Sequence, residues 1–127
     1  MRVLLDTGAL IALEKRSPGL LGLIDELAEK AADVPLVPAT VLAQTWRGGR
    51  GRQAPVSRWL SACDINVLDE TSARAVGELL ASSGSPDIVD AHLVVCAKSG
   101  DVIVTTDPRD IATLARAADK AVGIVAL

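Results

Sequence analysis

Short apolar runs alternate with longer segments of helical periodicity along the whole chain. The first run, Val3-Leu4-Leu5, is continuously apolar and breaks off at Asp6-Thr7-Gly8, as a strand covered on both faces does. Ala9 to Glu14 predicts a short helix. Leu20, Leu23, Ile24, Leu27, Ala28 and Ala31 then share one helical stripe, with Asp25, Glu26, Glu29 and Lys30 off it. That pattern predicts an amphipathic helix over residues 19–32. Pro35 to Pro38 reads as a second strand, 39–46 as a helix, and Val56 to Ala62 as another helix beyond a glycine-rich turn. Ile65 to Leu68 predicts a third strand and Thr71 to Ser82 a helix. The next helix is predicted to open at Ser85-Pro86, with serine as cap and proline in the first position, and to run to Lys98. Val102 to Thr105 predicts a fourth strand, Asp107-Pro108 the start of a helix through Ala118, and Val122 to Val125 a fifth strand. Strands alternating with helices predict an α/β fold: one domain over residues 1–127, a mostly parallel five-stranded sheet, and helices on both faces.

This pattern makes Asp6 the first candidate for chemistry, because open α/β sheets place their ligands at the carboxyl ends of strands. The competing role for Asp6 is a cap on the helix that follows. Asp107 follows the fourth strand and is expected at the same edge. Asp90 lies in Ile88-Val-Asp-Ala-His-Leu-Val-Val-Cys-Ala97, a helix apolar almost all the way round and therefore expected to be buried. No Lys or Arg stands between Arg74 and Lys98, so Asp90 lacks a local counter-charge, and Asp87 sits one turn earlier on the same face. Carboxylates converging without basic partners raise one another's pKa and repel, and a divalent ion relieves that conflict. Oxygen donors alone favour Mg²⁺ or Mn²⁺ over zinc. Asp87, Asp107 and Asp110 each also suit the first turn of a helix, where acids complement the dipole, and Asp110 reads as structural on that ground. His92, about 200° round the helix from Asp90, reads as a hydrogen-bonded core or rim histidine.

Composition refines the picture. Half the residues are hydrophobic and 23% are charged, which fits a globular chain. Cys63 and Cys96 form no ligand-like spacing, the N-terminus carries no secretory pattern, and no apolar run approaches a membrane span. The expectation is a cytoplasmic protein with no membrane association. The net charge of −3 hides a local excess: Arg47, Arg50, Arg52 and Arg58 lie in a stretch from Val34 to Cys63 that holds no acid. Arginine forks match phosphate oxygens, so Arg47, Arg50 and Arg52 are expected to position a nucleic-acid substrate, unless they form only a solvated face. Trp46 and Trp59, the only aromatic residues, either stack on unpaired bases or anchor the core or an interface.

Four blocks carry a resemblance: Val3 to Ala12, Val41 to Gly48, Asp90 to Ala97, and Val104-Thr-Thr-Asp-Pro-Arg-Asp-Ile111. In this order and at these spacings they resemble PIN-domain proteins of the VapC toxin type. The resemblance implies a compact domain with a central parallel sheet and metal-dependent cleavage of RNA. It further implies a ribonuclease toxin that is homodimeric and restrained by a cognate antitoxin. By motif position it assigns Asp6, Asp90 and Asp107 as metal-holding acids, with Asp87 available as a further one. Gln44 stands where the family pattern usually carries a Glu. An amide offers a carbonyl oxygen but no charge, so Gln44 suits the orientation of a water, and a catalytically weakened PIN-like module that binds RNA or protein is the alternative reading. Two other classes fit poorly. An aspartyl-phosphate phosphatase needs a second acid two residues after Asp6, where Gly8 stands. A receiver domain needs paired acids after the first strand and a lysine after the last, where Gly123 to Leu127 offers none.

Overall fold

The strands are laid down from the centre of the sheet outwards. A computed structural model describes all 127 residues. The chain runs β1 (Val3–Leu5), α1 (Thr7–Glu14), α2 (Pro18–Lys30), β2 (Leu36–Pro38) and α3 (Ala39–Thr45), then a 3-10 turn (Gly51–Gln53) and α4 (Ala54–Ser61). It continues through β3 (Asp64–Asn66), α5 (Glu70–Ser83), α6 (Ile88–Cys96), β4 (Val102–Thr105), α7 (Pro108–Ala117) and β5 (Gly123–Ala126). The sheet order is β3-β2-β1-β4-β5, and every pairing is parallel, so the sheet is wholly rather than mostly parallel. The chain winds one way from β1 through β2 to β3 and the other way through β4 to β5. The switch point therefore lies between the carboxyl ends of β1 and β4, where such sheets open a crevice.

Successive strand residues point to opposite faces, and two buried cores result. Leu4, Leu36 and Ile103 pack with residues of α5, α6 and α7, including Val76, Leu93, Ile111 and Leu114. Val3, Leu5, Val37 and Val104 pack on the other face with Leu10, Leu20, Val41 and Val56, from α1 to α4. Helices thus cover both faces, as the continuous apolar runs required. Leu4 and Leu93 are fully buried, and truncating such a leucine to alanine costs about 2–5 kcal/mol.

Several boundaries differ from the sequence expectations for local reasons. Helix α1 starts at Thr7 because the Asp6 carboxylate accepts the Ala9 N–H and caps it. Helix α6 starts at Ile88, two residues later than expected. The Ser85 hydroxyl accepts the Asp87 N–H in a tight turn, and Asp87 is the residue that caps the helix, through the Asp90 N–H. Strand β3 starts one residue earlier and ends two residues earlier than expected, at Asp64–Asn66, where it follows the register of β2. All three of its residues are exposed, as an edge strand allows.

Candidate metal centre

Asp6 ends β1 and is almost fully buried. Its Oδ1 accepts the Ala9 N–H at 2.8 Å, and its Oδ2 accepts the Thr105 hydroxyl and the Thr106 N–H. The Thr105 oxygen in turn accepts the Asp107 N–H at 2.8 Å, so one buried hydroxyl ties the acid after β1 to the acid after β4. The Asp6 N–H donates to the Val104 carbonyl at 3.1 Å, which fixes the two strand ends together. Cap and site candidate are thus the same residue.

Asp107 opens α7 without using its side chain as a cap, and Asp110 lies one turn further along the helix. Oxygen atoms of Asp90, Asp107 and Asp110 lie within 4.8 Å of one another. No Lys, Arg or amino terminus forms an ion pair with any of the three, or with Asp6 or Asp87. The consequence is visible at Asp90, at the rim of the crevice. Partial burial, followed by the charges of Asp87, Asp6, Asp107 and Asp110, pushes its carboxyl up to about 7 from an ordinary 3.8. Asp107 is raised as well, first by the neighbouring Asp110 charge. Like charges held together in this way are the arrangement that a hard divalent cation resolves, and an all-carboxylate donor set fits Mg²⁺ or Mn²⁺.

The other expected site residues lie apart from this cluster or have partners of their own. Asp87 is exposed, and its Oδ1 is taken by the Asp90 N–H at 3.0 Å; its charge acts on Asp90 from the cap position. Gln44 is exposed on α3, and its Oε1 accepts the hydroxyl of Thr7, the residue next to Asp6. The amide therefore borders the crevice without adding charge. Arg52 pairs with Glu14 at 3.4 Å. Glu14 ends the eight-residue α1, about 12 Å along the axis from its start, so Arg52 is held away from the acids. The Arg47 guanidinium folds back onto the Trp46 carbonyl at 2.6 Å and the Ala43 carbonyl at 3.4 Å. Arg50 is exposed and unpaired, the only one of the three with no partner in the chain. His92 is fully buried, with Nδ1 at 2.7 Å from the Thr40 hydroxyl, as a core histidine should be. Trp59 packs against the core, while Trp46 is more exposed and lies over Gly49.

Two residues of this site escaped the sequence reading. Thr105 looked like the last residue of an apolar strand, and Asp110 looked like a first-turn acid. The signal for Asp110 was its spacing: Asp87/Asp90 and Asp107/Asp110 are both acid pairs three residues apart at helix starts. The largest surface cavity, about 520 Å³, is elsewhere, between α5, α6 and α7. Lys120 at its edge donates to the Val94, Val95 and Ala97 carbonyls and closes the end of α6.

The PIN-domain family model matches residues 3–119. The chain belongs to the PIN-domain family. PIN domains are generally nucleases, and the acid crevice lies inside the matched segment. Two solved structures share the PIN fold. One is a crystal structure of VapBC2 from Rickettsia felis bound to a DNA fragment from their promoter. It superposes with a TM-score of 0.67 at 16% identity, covering 98% of each chain. The other is FitAB bound to the IR36 DNA fragment, with a TM-score of 0.63 at 19% identity, covering 96% of this chain and 94% of that one. At these identities the likeness is one of fold. Comparison with curated protein sequences finds no match. No helix of this PIN domain is long and apolar enough to cross a membrane.

Proposed function

We propose that this PIN domain is a Mg²⁺- or Mn²⁺-dependent endoribonuclease, the toxin of a toxin–antitoxin pair acting in the cytoplasm. The observation that carries the reading is the convergence of unpaired carboxylates from Asp90, Asp107 and Asp110 beside Asp6, at the switch point of the sheet. Asp90 and Asp107 would hold the ion, with Asp6 binding directly or through water. A bound ion of this kind supplies an acidified water as nucleophile and neutralises charge on the phosphate oxygens. Asp6 also keeps the strand ends in register, and Thr105 fixes the distance between the two strand-end acids. Gln44 would orient a water through its amide, and Arg50, unpaired in the 47–52 loop, would meet a phosphate.

The toxin assignment draws on the two neighbours, VapBC2 and FitAB, each bound to a DNA fragment. By that analogy the partner is a cognate DNA-binding antitoxin; a homodimer of the toxin is expected from the resemblance to VapC-type proteins. RNA is chosen as substrate on the resemblance to VapC-type proteins.

Purified protein is expected to cleave RNA when loaded with Mn²⁺ and to stop in EDTA. Asp90→Asn should lose about 100-fold or more in rate, the scale seen when charge stabilisation at a reacting centre is removed. Cleavage that is unaffected by either treatment would remove the proposal. A second reading, a weakened PIN module that binds RNA or protein without cutting, is favoured by the neutral Gln44 beside Thr7. Gel-shift binding of RNA by wild-type protein that neither takes up Mn²⁺ nor cleaves would select it.

A further inference from the structure

We propose that Trp46 and Arg50 form a binding site for an unpaired nucleotide of an RNA strand, the indole stacking on its base while the Arg50 side chain and neighbouring backbone N–H groups hold its phosphate. The inference rests on the RNA reading above and adds a contact outside the acid crevice.

The glycines between Trp46 and Gln53 suggest a slack loop, yet a buried side chain holds it in one shape. Gln53 is almost fully buried. Its Oε1 accepts the Arg47 N–H at 2.8 Å and the Gly49 N–H at 3.0 Å, and its Nε2 donates to the Thr45 carbonyl at 2.8 Å. Gly49 takes the left-handed backbone, with φ at 72°. A Cβ there would overlap the six-membered ring of Trp46, so the indole lies directly against the glycine. The Trp46 backbone is fixed as well: its N–H donates to the Leu42 carbonyl at 2.8 Å, and its carbonyl accepts the Arg47 guanidinium at 2.6 Å. The ring nevertheless stays 38% exposed. An aromatic surface held in place before its ligand arrives loses little freedom on binding.

The groups beside the ring select the ligand. The Arg47 and Gly49 N–H groups are taken by Gln53, whereas those of Gly48 and Arg50 make no bond within the chain. Free N–H groups along a tight turn bind anions. The Arg50 guanidinium has no ion-pair partner, and no acid stands from Val34 to Cys63 to compete for it. Arginine forks match phosphate oxygens. A ring for a base beside donors for a phosphate suits single-stranded nucleic acid, whose bases are free to stack on a side chain. Trp46 lies two residues beyond Gln44, whose Oε1 meets Thr7 at the border of the crevice. From there the loop runs to Arg52, paired with Glu14 at the far end of α1, so the nucleotide site flanks the acids without belonging to them.

Fluorescence anisotropy with a labelled single-stranded RNA of mixed sequence tests this on the full chain, in EDTA so that metal-dependent cleavage is off. Trp46→Ala is expected to weaken binding by about tenfold, the scale of one stacked base, with the salt dependence unchanged, and Trp46→Phe to keep most of the affinity. Arg50→Ala should weaken binding and also lower the slope of log affinity against log salt by about 0.7, as loss of one single-strand phosphate contact does. Both side chains are exposed, and thermal melts equal to wild type confirm that each variant is folded. Equal affinity for single-stranded RNA in wild type and Trp46→Ala would overturn the site while leaving the RNA reading standing. A Trp46→Ala protein that changes its oligomeric state but keeps its RNA affinity would overturn it too, giving the ring to a protein interface. Wild-type protein that binds no RNA, with or without Mn²⁺, would overturn both.

Discussion

A single carboxylate at position 6 joins the sheet to the first helix. Its two oxygens accept from the Ala9 N–H, the Thr105 hydroxyl and the Thr106 N–H, and this packing requires α1 to pass close to the end of β4. Gly8 is the residue at that crossing: a Cβ there would overlap the Thr106 side chain. In an ordinary helix position Gly→Ala stabilises by about 0.5–1 kcal/mol. Here the sign should reverse. Gly8→Ala is expected to lower stability by about 1–3 kcal/mol, the usual cost of overpacking, and to reduce Mn²⁺-dependent cleavage by moving Thr106 away from Asp6. Urea unfolding and a cleavage assay read the two effects, and a stabilised, fully active variant would show that the crossing relaxes freely. At this scale Asp6 was legible in the sequence because an acid ended an apolar strand. Thr105 and Asp110 were not, because a hydroxyl bridging two strand ends 99 residues apart and a first-turn acid whose oxygens approach those of Asp90 both depend on tertiary placement.

Helices α6 and α7 present the same device twice, an acid at the cap position and another three residues on. In α6 the pair is Asp87 and Asp90, and Asp87 caps; in α7 it is Asp107 and Asp110, and the cap side chain is left free. The N-terminal ends of the two helix dipoles offset part of the repulsion among the four acids, which helps the fold tolerate the cluster. Removing the cap on α6 separates this role from charge. Asp87→Ala is expected to cost about 1 kcal/mol, or roughly 3–6 °C in melting temperature for a domain of this size, whereas Asp87→Asn should stay close to wild type. A thermal melt of both variants in EDTA checks it, and equal melting temperatures would mean that the Asp87 charge, not its cap, governs α6. The existence and order of every helix and strand were legible from periodicity. The start of α6 was not, because Ser85-Pro86 resembles a cap and first turn. The hydroxyl of Ser85 instead accepts the Asp87 N–H, and the helix waits for the next capping side chain.

Across the whole molecule the winding order turns scattered acids into one site. Asp6 and Asp107 are 101 positions apart, yet β1 and β4 are sheet neighbours, so alternating strands and helices in the sequence were enough to place both at one edge. The arginine loop was legible as composition only, and the Arg52–Glu14 pair anchors it at the other end of α1. The same gathering of acids sets a pH dependence. The Asp90 carboxyl titrates at about 7 in the fold against an ordinary 3.8, so between these values the folded state holds a proton that the unfolded state has released. Stability from this group is therefore lost as pH rises from about 4 to 7, and is constant above. His92, lowered by burial, works in the opposite direction below its ordinary 6.5, so the comparison must be between variants rather than along one curve. In EDTA, Asp90→Asn should match wild type near pH 4, where the Asp90 carboxyl is neutral. It should become progressively more stable than wild type up to about pH 7 and keep that margin at pH 8. With saturating Mn²⁺ at pH 8 the order should invert, because the ion binds the ionised form and stabilises only the state that holds it. Denaturant melts of both proteins across this range decide the matter: a margin independent of pH would mean that Asp90 titrates as an ordinary carboxylate and that the cluster does not act on it.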